Sequence, residues 1–264
     1  MSEATPYSTL LSRIEAGSGR ASLEVPDDWL QGRTLFGGLQ AAIALRAMRT
    51  LVPDAPLRSL QSTFIAPVAG GRVEARARVL RSGRNATHVE ARIVDGEETL
   101  ALVVGVFGLA RESLVKIVAE QPAVEASRPI EMQYVPGAMP AFTQHFKARW
   151  VKGGPPFTGA TARDNVIDLG MRDPGPMGEY HVVAMADFIP PIALSFLTER
   201  AHAASLSWML ELLVDDVSAL SPDGWRLDAH VVAGHDGYTH QSLELWGPDG
   251  MLAALGRQTM VVFA

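Results

Sequence analysis

An aspartate closing an apolar run is the first residue in this chain whose type and setting could do chemistry. Asp187 follows Val182-Val183-Ala184-Met185-Ala186 and precedes Phe188-Ile189, a context in which an unpartnered carboxylate is costly to bury. The residues alone leave two readings open: an acid at the exposed end of a helix, or a site residue whose burial has a purpose. Gln258 raises the same question. A lone strand glutamine usually faces solvent, yet Ala254, Gly256, Gln258 and Met260 share one face by alternation, and that face is otherwise small and apolar, which favours an inward amide. Ser205 and Ser207 lie in ordinary strand text; strict alternation points both hydroxyls the same way, with Ser207 second in rank. A carboxylate is the natural base for a water molecule, and hydroxyl and amide groups can hold that water in place.

Other chemistries are excluded by what the chain lacks. It has no cysteine, so thiolate catalysis, disulfides and cysteine metal sites are ruled out. Of its seven histidines, His181, His202, His230, His235 and His240 all fall in the second half. They form no H-E-x-x-H pattern or tight cluster, so neither a metal nor any other cofactor is expected. No G-x-S-x-G elbow, Walker A loop or G-x-G-x-x-G fingerprint occurs, and Ala16-Gly17-Ser18-Gly19 precedes any sheet. A net charge of -6 gives no reason to bind nucleic acid. No apolar run of about 18 residues is present, so no membrane span is expected. The start, Met1 to Pro6, lacks the pattern of an export signal, which suggests a soluble, cytoplasmic protein.

The elements that must position these residues follow from periodicity. A short strand over 21–25 stops at Pro26, and a loop carries Trp29 to Phe36. Leu39, Ile43, Ala47 and Leu51 then recur at helical spacing after Phe36-Gly37-Gly38. Those glycines mark either a backbone passing close to a ligand or a tight turn with positive φ. The helix carries Gln40, Arg46 and Arg49 but no acid. Strands are expected over 57–66, 72–82, 86–94 and 99–107, with turn text between them. After a mixed, proline-bearing stretch the pattern repeats: strands over 141–150 and 161–171, a helix over 180–187 halted by Pro190-Pro191, and strands over 203–213, 225–233, 238–246 and 252–263. The result is an α+β protein of two units, 1–112 and 141–264, joined by a linker over 113–140. Each unit is a helix wrapped by a curled antiparallel sheet.

Phe36-Gly37-Gly38, the strand running to Pro67, Leu80-Arg81-Ser82-Gly83-Arg84-Asn85, Ala186-Asp187-Phe188 with Pro190, Pro248-Asp249-Gly250-Met251-Leu252-Ala253 and Gln258 together resemble, in order along nearly the whole chain, the acyl-CoA thioesterase II family of double hotdog proteins. The resemblance implies hydrolysis of an acyl-CoA by a water that an aspartate, a hydroxyl residue and a glutamine activate, with no metal and no covalent intermediate. The matching positions are Asp187, Ser205 and Gln258. Serine stands where the family more usually shows threonine, which keeps the donor but loosens the rotamer. Phe36, Gly37 and Gly38 are expected at the substrate, and the N-terminal unit is expected to line the acyl pocket without contributing catalysis. Backbone N–H groups at a helix N-terminus are the expected oxyanion donors, with the helix left open. A homo-oligomer through sheet edges or faces is compatible with the pattern. Two other functions remain on the page: a non-catalytic acyl-CoA-binding protein, and a hydratase or dehydratase using His181.

Overall fold

The computed structural model describes residues 4–125 and 128–264; Met1 to Glu3, read above for an export signal, and positions 126 and 127 of the expected linker lie outside the described residues. The first half contains helix α1 (Tyr7–Ser12), strands β1 (Glu15–Gly17) and β2 (Arg20–Val25), a small ribbon of β3 (Leu30–Gln31) and β4 (Thr34–Leu35), helix α2 (Gly37–Arg49), and strands β5 (Leu57–Phe64), β6 (Gly71–Ser82), β7 (Ala86–Asp95) and β8 (Glu98–Gly108). Residues 109–125 carry neither helix nor strand and are almost wholly exposed. The second half contains β9 (Ile130–Glu131), β10 (Phe146–Lys152), β11 (Asp164–Met171), helix α3 (Glu179–Ala186), and strands β12 (His202–Leu212), β13 (Trp225–His235), β14 (Tyr238–Trp246) and β15 (Leu252–Phe263).

Thirteen strands form one antiparallel sheet in the order β1-β2-β6-β7-β8-β5-β12-β15-β14-β13-β11-β10-β9. Read outward from the β5·β12 seam, the two sides match. Each begins with the strand after its helix, continues through the last, third and second strands of its meander, and reaches the strand before its helix. The internal repeat expected from the sequence is thus a repeat of topology, and one continuous ladder joins its copies.

Ala16 and Gly17, expected ahead of any sheet, lie in β1, and two further expectations need correction. The strand expected from 141 begins only at Phe146, because Ala141–His145 form a 3-10 turn after Pro140, with the Thr143 hydroxyl donating to the Pro140 carbonyl at 2.7 Å. The second concerns the serines of β12. Ser205 pairs with Met260 and Ser207 with Thr259, so the register slips at Leu206. Because neighbours along β15 face opposite ways, this bulge puts Ser205 and Ser207 on opposite faces of the sheet. Ser205 shares the inner face of Met260, which is buried.

The helices lie side by side on the inner face. Most side chains of α2 are buried, and its one uncharged polar residue is satisfied, Gln40 Nε2 donating to the Leu35 carbonyl at 2.8 Å. At its C-terminal end, where basic residues suit the helix dipole, Arg49 grips Glu179 of α3 by two hydrogen bonds of 2.6 and 2.7 Å. At its N-terminal end Gly37 and Gly38 meet the last turn of α3. The helices therefore run antiparallel, pinned at both ends. Neither glycine has positive φ. A Cβ on Gly38 would lie 3.1 Å from the Ala184 Cα and 2.8 Å from the Phe36 ring, so this residue is glycine because two helices and a ring converge on it.

Candidate active site

Asp187 is the residue that ends α3. Phe188 behind it is buried, and Pro190-Pro191 cannot continue a helix, so the acid is held at the helix terminus, next to the first turn of α2. Its Oδ1 accepts a hydrogen bond from Gln258 Nε2 at 2.7 Å, and the backbone N–H of Gly38 also bonds to the carboxylate. Burial pushes its pKa up to about 7, and the donors from Gly38 and Gln258 only partly offset that rise. The residue as a whole nevertheless keeps some accessible surface. A carboxylate desolvated by protein and balanced between its two protonation states near neutrality is suited to general-base work.

Gln258 is 2 % exposed, on the inward face expected from the alternation of β15. Its carbonyl is also engaged: Gln241 Nε2 on β14 donates to Gln258 Oε1 at 2.9 Å, and Gln241 Oε1 accepts the Ile192 backbone N–H at 3.0 Å. Gln241, absent from the sequence-based candidates, is with Thr239 a polar member of the inward row Thr239, Gln241, Leu243, Leu245, an alternation of the kind that marks Gln258. Across the seam the row runs from Gln241 through Gln258 and Trp208 to Ser62. Trp208 Nε1 and Ser62 Oγ on this row are buried without a hydrogen-bond partner among the described residues.

Ser205 is not joined to this network. Among the described residues no hydrogen bond links its hydroxyl to Asp187 or Gln258; it lies on the same inner face, opposite Met260 and one inward position beyond Gln258. Phe36, expected at the substrate, offers no surface. It is fully buried, stacked on Phe142 with ring centroids 4.1 Å apart and set edge-on to Phe146, so it belongs to the core. Gly37 and Gly38 do reach the candidate site, through Asp187.

His181, the acid–base candidate of the alternative reading, is committed elsewhere. Its Nε2 lies 3.2 Å from Asp173 Oδ2, and its ring is edge-on to Tyr7. Asp173 is also bonded by the Ser8 hydroxyl at 2.5 Å and by the backbone N–H of Ser8 and Gly175. Serine, aspartate and histidine meet here, but the serine bonds the acid and not the ring. The order is wrong for nucleophile activation, and the cluster ties the α1 segment to the turn before α3. No group of three His, Asp or Glu side chains that could hold a metal converges among the described residues. Clefts of about 470 Å³ at Arg13, Glu15 and Arg72 and of about 430 Å³ at Arg46, Arg49 and Tyr180 do not count Asp187 among their lining residues.

A large antiparallel sheet packed on helices agrees with the comparisons to known proteins. Residues 25–108 match the model of the acyl-CoA thioesterase N-terminal domain and residues 119–262 that of the C-terminal domain. The chain belongs to the acyl-CoA thioesterase family. No curated protein matches it. Among solved structures it is similar to a conserved protein of unknown function with a hotdog fold from Alicyclobacillus acidocaldarius, with a TM-score of 0.84, 21% identity and 97% of each chain covered. It is similar also to a tesB protein of Mycobacterium avium subspecies paratuberculosis, with a TM-score of 0.76, 16% identity and 99% and 100% of the two chains covered. The acyl-CoA thioesterase II TesB2 of Mycobacterium marinum aligns with a TM-score of 0.72, 16% identity and 96% and 97% covered. At these identities the likeness establishes a hotdog fold. Among the described residues no helix is long and apolar enough to cross a membrane.

Proposed function

We propose that this protein is a tandem double hotdog thioesterase that hydrolyses an acyl-CoA to the free acid and CoA, with Asp187 as the general base. The observation that carries the reading is the braced carboxylate: Asp187 at 2.7 Å from the Gln258 amide, supported by Gly38 and held near neutral pKa. A water at the accessible side of Asp187 adds to the thioester carbonyl carbon and gives its proton to the carboxylate, while the carbonyl electrons move onto oxygen. In the first turn of α2 the Gly38 N–H is taken by Asp187 and the Leu39 and Gln40 N–H groups by the Phe36 carbonyl, which leaves the Gly37 N–H as the donor proposed for that oxyanion. The tetrahedral intermediate collapses by breaking the C–S bond, and CoA leaves as a thiolate, a good enough leaving group to need no strong acid. Gln258 orients Asp187, and Ser205 is proposed to hold the water or the thioester from its position along the inner face. In this reading the N-terminal unit supplies a wall and a helix terminus to a site whose base belongs to the C-terminal unit, and the protein works in the cytoplasm.

The test is hydrolysis of a panel of acyl-CoAs of varied chain length by the wild type and by Asp187→Ala. Turnover that the substitution abolishes supports the reading. A wild type inactive on the whole panel would sink it, and full activity in the variant would remove Asp187 from its role.

A further inference from the structure

An ionised carboxylate only accepts, but a protonated one can also donate to an amide oxygen, so while Asp187 carries its proton some other contact must decide which end of Gln258 faces it. Gln241 stands directly opposite Gln258 in the β14·β15 ladder. It occupies the Gln258 carbonyl at 2.9 Å with its own NH2 group, while its own carbonyl is occupied by the Ile192 N–H at 3.0 Å. A backbone N–H is a donor only and cannot be reversed. The direction of donation is therefore set at Ile192 and passed through Gln241 and Gln258 to the carboxylate. Gln241 and Gln258 are 1 % and 2 % exposed, leaving little room for solvent to compete. The series closes on itself, because Ile192 follows Asp187 through the stiff Pro190-Pro191 step. The base and the donor that orients its partner are thus fixed by one short segment.

We propose that Gln241 is a positioning residue for thioester hydrolysis, which holds Gln258 with its NH2 end toward Asp187 and so keeps the carboxylate braced as a proton acceptor. The inference rests on the thioesterase reading above. Charged and titratable groups on the elements packed around Asp187 are engaged elsewhere or exposed. Glu179 is paired with Arg49, His181 with Asp173, Asp164 with His230 and Asp168 with Arg149. His240 lies against Thr259, Arg46 and Arg257 are exposed, and Glu244 alternates with the buried Leu243 and Leu245 and so points to the outer face of β14. Amides and backbone, with no nearby ion, hold the acid.

Two variants separate positioning from packing. Gln241→Met conserves the volume and removes the donor. Gln241→Glu conserves the shape and, when ionised, draws the NH2 group of Gln258 toward itself and turns the Gln258 oxygen to Asp187. In each, we expect the Asp187 carboxyl to titrate about one pH unit higher than in the wild type. The readout is carbon-13 NMR of protein labelled at aspartate side-chain carboxyls, with the signal assigned by its loss in Asp187→Asn; it requires no turnover. The rising limb of kcat/KM against pH should move by the same amount, with kcat at pH 7 falling about fivefold and KM nearly unchanged. If either variant folds with the wild-type melting profile and Asp187 titrates unchanged, the proposal is overturned, whatever the turnover. A wild type without turnover counts against the thioesterase reading alone, and an upward titration shift would still assign Gln241 its positioning role.

Discussion

A Cβ placed on Gly37 would lie 2.6 Å from Oδ2 of Asp187. The acid of the second half can thus sit where it does because the first half presents glycine to it. Gly37→Ala must push the carboxylate off the Gln258 amide or move the helix, since Phe64 closes the other side at 3.3 Å. Overpacking of this kind costs about 1–3 kcal/mol, and a displaced base costs up to roughly a hundredfold in rate. We expect a folded variant with a lowered melting temperature and kcat/KM reduced tenfold to a hundredfold, measured by denaturation and acyl-CoA hydrolysis. Wild-type kinetics in this variant would show that Asp187 does not need its observed position.

The pKa of Asp187 predicts opposite pH responses for activity and stability. As a base it must be ionised, so kcat/KM should rise with pH and level off above about 7. For stability, a folded-state pKa raised from 3.8 to about 7 means that the folded protein binds this proton more tightly than the unfolded chain. The contribution is fully present below about pH 4, is lost as pH rises through about 7, and amounts to on the order of 4 kcal/mol at most. Asp187→Asn should therefore remove the decline: its stability relative to wild type should improve from pH 4 to pH 8 in chemical denaturation, while turnover falls by about 10²-fold to 10⁴-fold.

Ser205 is the least anchored member of the proposed trio. With no bond to the acid, its contribution is one hydrogen bond to water or substrate, worth about 1 kcal/mol. Ser205→Ala should lower kcat/KM by roughly tenfold or less, and Ser205→Thr should restore it. A loss as large as that of Asp187→Asn would mean that the hydroxyl bears directly on the proton transfer.

Asp173 gives a stability prediction remote from the base. Burial raises its pKa, but hydrogen bonds from His181, Ser8 and Gly175 outweigh that and hold it well below the usual carboxylate range. A depressed folded pKa contributes stability above about pH 4 that is lost as pH falls below it. Asp173→Ala should cost about 3–5 kcal/mol at neutral pH, by leaving His181 and the start of α1 without their partner, and should flatten the acid limb of a stability–pH curve.

Ser62→Ala tests the unpartnered groups on the inner row. Removing a buried hydroxyl that has no partner should leave stability unchanged or raise it by about 1 kcal/mol, read by thermal melting. Marked destabilisation would mean that the hydroxyl has a partner in solution.

Much of the architecture was legible because the responsible residues follow a simple period. Leu39, Ile43 and Ala47 announce α2, and Ala254, Gly256, Gln258 and Met260 announce the inward face of β15. The break at 114–139 and the stop at Pro190-Pro191 are written in breaker residues. What escaped had other causes. The facing of Ser207 was lost at the Leu206 bulge, because alternation holds only while the ladder keeps step. From sequence Phe36 reads as a substrate contact for its place beside the glycines, whereas its stacking on Phe142 depends on a segment more than a hundred residues away. Gly38 as a partner of Asp187 could not be read from either half, since the contact exists only when the two helices lie together.

The two attachments between α2 and α3, Arg49 with Glu179 at one end and Gly38 with Asp187 at the other, act as a gauge of registration. A helix advances about 1.5 Å per residue, so sliding α2 past α3 by a single step would unfasten the ion pair and strip the acid of its brace together. Loosening the remote Arg49 clasp should therefore be felt at Asp187, and the chain should melt in one cooperative step.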